Sequence, residues 1–234
     1  TLCLVKECFM HPESGFTLVE VLVSVAVSAI ALTSLVIAFD IVEKQYTEIR
    51  DVSQMNQSGR NILKIIERDI RMAGYVHHTD SGSKQFGEIA TPVQFTNLTK
   101  CCDEIKVIYD YRNDFDSSTK RIEIRYWVEN YTGSGGIRGR LFKQTNIIAP
   151  SASSGDKEPM ADYIEDLQFE PSGPDAKPNS LIGVYLALRS KKELRRQKLF
   201  KRGGHFPGDS TTEKNDQYWR EEFSTSVAVR NLTL

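Results

Sequence analysis

Between Phe16 and Phe39 the chain carries a single ionisable side chain, Glu20, and neither Pro nor Gly. As a helix these 24 residues extend roughly 36 Å at 1.5 Å per residue. That length crosses a hydrocarbon layer of about 30 Å with some tilt. In lipid the backbone must satisfy its own hydrogen bonds, so a single span of this kind is helical. Glu20 lies roughly 6 Å inside the boundary, close to headgroup level. A carboxylate at mid-bilayer costs up to about 3 kcal/mol, and less near an end. Two readings follow: a carboxylate snorkelling to the interface, or a charge retained for a use.

The wider window, Gly15-Phe16-Thr17-Leu18-Val19-Glu20 followed by Val21-Leu22-Val23-Ser24-Val25-Ala26, resembles the class III signal of type IV pilins and type II secretion pseudopilins. The resemblance implies that a prepilin peptidase cuts between Gly15 and Phe16 and that the new N-terminal Phe16 is N-methylated. The apolar segment then serves as a membrane anchor and later as filament core. It also implies a use for Glu20: its carboxylate meets the cationic amine at the N-terminus of a neighbouring subunit. In a low-dielectric core that pair is strong, and an unpaired carboxylate is penalised.

Ala29-Ile30-Ala31 offers a competing A-x-A site, as in an ordinary secretory signal. A cut there would release a chain beginning at Leu32. Against it, Glu20 would charge the apolar region, and the apolar run continues past the cut. The leader departs from the family pattern, because residues 1–15 carry Lys6 against Glu7 and Glu13. Met10 is an alternative start to Thr1, giving the leader Met10-His11-Pro12-Glu13-Ser14-Gly15.

The formal net charge of the 234 residues is −1. Removing the leader brings it to neutrality, which argues against a general polyanion-binding role. Cys3 and Cys8 lie in the leader, leaving Cys101 and Cys102. Adjacent cysteines strain a disulfide ring, so two thiols at a strand start are the simplest expectation. A vicinal disulfide and an intersubunit bridge are the alternatives. By spacing they form neither a four-ligand zinc site nor a redox C-x-x-C.

After Phe39 the chain turns polar while the helical period persists. Val42, Tyr46, Ile49, Val52, Met55, Gly59, Leu63, Ile66, Ile70 and Ala73 recur every three or four residues. Gly74 supplies a stop. The pattern predicts one helix over about 16–73: a leader at 1–15, an apolar stretch at 16–39, and an amphipathic continuation at 40–75 that docks on a sheet. From 76 to 234 the pattern is of short strands, expected at 92–98, 104–111, 121–129, 140–144, 163–169, 181–188 and 223–229, with a hairpin tip at 113–118. Residues 149–160 and 171–180 read as loops. A long helix followed by an antiparallel sheet is an α+β fold, the pilin-like architecture that the resemblance implies.

The segment Arg68-Asp69-Ile70-Arg71-Met72-Ala73-Gly74-Tyr75 and the ending Phe223-Ser224-Thr225-Ser226-Val227-Ala228-Val229-Arg230-Asn231 resemble PilW-like minor pilins. The secretion pseudopilin of the J type is a relative with a similar helix. The PilW-like resemblance implies a structural and priming subunit of a type IV pilus, placed near the tip. Its partners would be prepilin peptidase, other minor and major pilins met through the helix, and the inner-membrane assembly platform. The chain would sit in the inner membrane with its C-terminal domain in the periplasm, then reach the cell surface in the fibre. Arg68 and Arg71 complement the dipole at the helix end.

A tip adhesin or DNA receptor on the same scaffold is the alternative class. Its candidate patch is Arg189, Lys191, Lys192, Arg195, Arg196, Lys198, Lys201 and Arg202, which would grip phosphates with salt-sensitive affinity; a solvated hairpin or loop is the simpler expectation. Asp110, Asn113, Asp114 and Asp116 cluster oxygen atoms without EF-hand spacing, so a turn is expected there. His77-His78 reads as exposed loop. No nucleophile elbow, P-loop or paired acid and base is present, and neither an enzyme nor a cofactor is expected.

Overall fold

The computed structural model describes residues 15–96, 101–115, 117–133, 136–172, 180–202 and 212–231. Leader residues 1–14, with the alternative start at Met10, lie outside them, as does Asp116. One helix, α1 (Leu18–Met72), precedes seven strands: β1 (Val93–Thr96), β2 (Glu104–Arg112), β3 (Thr119–Gly133), β4 (Gly136–Ala149), β5 (Lys157–Ser172), β6 (Leu181–Arg202) and β7 (Thr212–Ala228). The fold is α+β, as a pilin-like chain requires.

The chain divides into two units, Thr1–Thr47 and Glu48–Leu234. In the first, the described residues include the whole apolar stretch of α1, and its large apolar side chains from Leu18 to Phe39 are exposed. In the second, all seven strands form one antiparallel sheet in chain order, β1 to β7, with no crossover. Side chains alternate across each strand, so Ile105, Val107 and Tyr109 of β2 share a face, as do Ile122, Ile124 and Tyr126 of β3. These join Leu141, Leu167, Phe169, Ile182, Val184, Leu186 and Val227 in one core with Met55, Ile62, Leu63, Ile66 and Ile70 of α1. Burying a side chain of this size contributes about 1.5–3 kcal/mol, so this face supplies the drive that holds the helix end against the sheet.

Two glycines let the backbone approach closely. A Cβ at Gly59 would collide with the ring of Phe223 on β7, and one at Gly74 would strike the carbonyl oxygen of Asn231. Gly74 also has φ 77°, the left-handed conformation that ends many helices. Its N–H donates to the Ile108 carbonyl at 2.9 Å.

Several expectations need correction. Val42, Tyr46 and Ile49 follow the helical period but are exposed; burial begins in earnest at Met55. Every strand after β1 is longer than its apolar core predicts. Residues 157–160, expected as loop, open β5, and 157–159 pair with β4. Residues 189–202, expected as a hairpin or loop, continue β6 and pair with β7 across two register shifts. Extended backbone satisfied by ladder hydrogen bonds does not need an apolar sequence, so polar strand ends leave no periodic signal. The tip at 113–118 is a turn, closed by the Asn113 N–H donating to the Ser118 carbonyl at 2.8 Å.

Candidate assembly site at the helix start

Glu20 is not a bare charge. Its Oε2 accepts from the Thr17 N–H at 2.9 Å and from the Thr17 hydroxyl at 2.9 Å. The Glu20 N–H in turn donates to Thr17 Oγ1 at 3.3 Å. This is a reciprocal capping box, in which two groups left unpaired at a helix start satisfy each other. Sequence reasoning missed it, although Thr17-Leu18-Val19-Glu20 has the T-x-x-E spacing of the box. The box folds the carboxylate back toward residue 17, next to the Gly15–Phe16 bond. Phe16 itself is 87% exposed.

The hydroxyls that interrupt the apolar stretch are also satisfied locally. Ser24 donates to the Glu20 carbonyl at 2.7 Å, Thr33 to Ala29 at 2.8 Å and Ser34 to Ile30 at 2.9 Å. These three hydroxyls each bond four residues back within their own helix. The helix is long and apolar enough to cross a membrane. An exposed apolar surface of this extent marks a membrane or protein contact.

The other end of α1 is anchored by a buried charge. Asp69 is fully buried. Its Oδ2 accepts from Tyr126 Oη at 2.6 Å and from Lys143 Nζ at 2.9 Å, and its Oδ1 from Arg68 Nε at 3.1 Å. The helix is thus tied to β3 and β4 through one carboxylate. Burial, and then the negative charge of Asp69, push the Tyr126 and Tyr109 phenols far above their ordinary range. Tyr126 therefore stays protonated and able to donate. Arg68 matches the expected helix-end cation and pairs with Asp69, while Arg71 pairs with Glu67.

The remaining candidates fall apart or change role. Asp110 is not part of an open oxygen cluster. It is buried, takes Arg121 Nε at 2.7 Å and accepts from the His77 N–H at 2.9 Å. Arg121 spans from it to the carbonyls of Phe86 and Gly87, so this pair secures the 77–88 segment. His77 is half-buried rather than loosely exposed.

Of the basic run, Arg189 is only 8% exposed. It pairs with Glu165 at 3.3 Å and lies 4.4 Å from the centre of the Tyr218 ring, so it is a structural residue and not part of a surface patch. Lys191 and Lys192 are exposed. Arg195, Arg196, Lys198, Lys201 and Arg202 have side chains outside the described residues. Cys101 and Cys102 are joined in a vicinal disulfide, which corrects the expectation of two free thiols.

No curated protein and no solved structure gives a significant match to the chain. The family model for the prokaryotic N-terminal methylation motif matches residues 10–36. That segment contains the Gly15–Phe16 bond, Thr17, Glu20 and the first part of the exposed apolar helix. Proteins with this motif are structural subunits, processed by prepilin peptidase and assembled with other pilins. The motif and the exposed helix behind it together support a type IV pilin or pseudopilin, anchored in the membrane by the start of α1.

Proposed function

We propose that the chain is a PilW-like minor pilin, a priming subunit that enters a type IV pilus near its tip and helps to initiate assembly. The observation that carries this reading is the methylation motif at residues 10–36, placed on a helix whose apolar stretch is exposed throughout. The R-D-I-R-M-A-G-Y ending at residues 68–75 supports the PilW-like type. Cleavage falls after Gly15, Phe16 is methylated, and Glu20 pairs with the N-terminal amine of a neighbouring subunit.

The mechanism is physical and not catalytic. A helix stored in lipid is extracted by the assembly platform and reburied among other helices. Moving it is favourable only if its apolar surface finds protein surface and Glu20 finds a cation. The capping box keeps the Glu20 carboxylate turned toward the helix start, where an incoming amine would meet it.

Deleting the gene tests the role. Loss of surface fibres supports a priming subunit. Intact fibres with failed secretion would point to a J-type pseudopilin, and intact but non-binding fibres to a tip adhesin or DNA receptor. N-terminal sequencing of the mature chain checks the processing: Phe16 supports the proposal, and Leu32 would replace it with an ordinary secretory signal.

A further inference from the structure

The sequence separates Asp166 from the cysteine pair by more than sixty residues, yet the fold brings them together. The sulfur atoms of Cys101 and Cys102 and a carboxylate oxygen of Asp166 all lie within 4.8 Å of one another. The approach is built from the backbone. The Asp103 N–H donates to the Leu167 carbonyl at 2.8 Å, and the Phe169 N–H donates to Asp103 Oδ2 at 2.9 Å. These two bonds clamp the start of β2 along β5, which sets the preceding cysteines beside Asp166. Asp166 is fully buried, Cys102 is half-buried and Cys101 is exposed.

A second observation lies on the same strand. Gln168 follows Asp166 by two residues in unbroken register with β6, so both occupy one face of β5. Gln168 is fully buried, and neither its amide oxygen nor its amide nitrogen has a hydrogen-bond partner among the described residues. A buried amide without partners costs free energy, and such groups call for an explanation, an absent ion being one.

We propose that the reduced pair Cys101 and Cys102, with Asp166, forms a site for a thiophilic d10 cation, Zn2+ in its common form, and that the vicinal disulfide is the closed state of the same site. Two thiolates and one carboxylate are three of the four ligands of a tetrahedral zinc centre, with Zn–S near 2.3 Å and Zn–O near 2.0–2.2 Å. A water completes it, on the strand face that also carries Gln168.

The oxidised sulfurs carry no anionic charge, and thiolates are the metal-binding form, so disulfide and metal exclude each other. Opening the site consumes two electrons and two protons from a dithiol reductant, which leaves as its own disulfide. Metal binding then releases the two thiol protons. Sequence spacing alone argued against zinc because the third ligand comes from another strand.

The test uses the detergent-solubilised full chain with Cys3→Ser and Cys8→Ser, so that only Cys101 and Cys102 remain. A phosphine reduces it: disulfide, phosphine and water give two thiols and phosphine oxide. Co2+ is then titrated as a spectroscopic stand-in and displaced by Zn2+. One equivalent of Co2+ is expected per chain, with the intense visible bands of tetrahedral coordination and a thiolate charge-transfer band. Zn2+ raises the melting temperature of the reduced chain and leaves the disulfide form unchanged.

Asp166→Asn weakens metal affinity about tenfold or more while the melt without metal stays cooperative. Half an equivalent per chain would overturn the proposal in favour of a cation bridging two chains. So would equal binding by the disulfide form, or no binding by the reduced wild-type ligand set at micromolar Co2+ or Zn2+. Should Asp166→Asn not fold, alkylating the reduced thiols with iodoacetamide must abolish the metal-induced rise in melting temperature. Persistence of that rise would also overturn the site.

Discussion

The two stretches of α1 share one uninterrupted backbone and place their side chains under opposite demands. From Leu18 to Thr47 no side chain is buried, and the hydroxyls of Ser24, Thr33, Ser34 and Thr47 bond to carbonyls within the helix itself. From Glu48 to Met72 one face is closed against the sheet, and the buried charge near its end, Asp69, depends on β3 and β4 for partners. The first stretch is self-sufficient in hydrogen bonding and unsatisfied in apolar surface. The second is the reverse. Up to Phe39, and apart from Glu20, the first stretch offers a neighbour mainly apolar surface, whereas the second is held by specific contacts.

The largest expected effect lies in the first stretch. Glu20→Val abolishes incorporation into fibres, while prepilin cleavage after Gly15 remains largely intact by immunoblot; normal piliation in that strain would contradict the pairing role. Thr17→Val removes the two hydroxyl bonds of the capping box and keeps both the residue 17 N–H bond and the carboxylate, so its fibres should persist. Equal loss in both variants would assign Glu20 to the cap alone.

In the second stretch, Asp69→Ala leaves Tyr126 and Lys143 without their acceptor. It should destabilise the domain by about 3 kcal/mol, read from urea unfolding in detergent. A change below about 1 kcal/mol would mean that the carboxylate is dispensable for docking.

Matched enlargements sharpen the contrast. Gly59→Val forces a side chain into the Phe223 ring and should cost about 1–3 kcal/mol. Ala31→Val, in the exposed stretch, should change domain stability by less than about 0.5 kcal/mol. The smallest effect concerns pH. Tyr126 and Tyr109 have folded pKa values raised above their unfolded ones, so their contribution is fully present below about pH 10 and declines as pH rises beyond it. Alkaline melts of Tyr126→Phe should fall less steeply than those of the parent chain.

Much of this contrast was legible in the sequence. The apolar run with its lone acid, the persistent helical period and the Gly74 stop gave the helix to within two residues at its start and one at its end. Asp69 carried a signal that went unused: it stands between Ile66, Ile70 and Ala73 on the apolar stripe, where a charge must be paired. Exposure of Val42, Tyr46 and Ile49 was not readable, because a periodic pattern reports an amphipathic face and not whether anything covers it. Arg189 and Asp166 were invisible for another reason. A sequence shows charge density along the chain, whereas their neighbours in space, Glu165 and Tyr218 for one and Cys101 and Cys102 for the other, come from separate segments. The methylation motif at the helix start was legible in the sequence; the cap on Glu20 required only closer attention to Thr17.

Gly59 and Gly74 have a consequence for the order of events. The groups they admit, the Phe223 ring and the Asn231 carbonyl, lie more than 150 residues further along the chain, whereas every strand pairs with its immediate neighbour in sequence. Hairpins can therefore form one after another as the polypeptide is synthesised, since local contacts require little loop closure. Full seating of the helix must wait for β7 and the residues after it. A chain stalled before that point would keep part of the helix's docking face uncovered, which distinguishes unfinished subunits from finished ones before any of them is recruited.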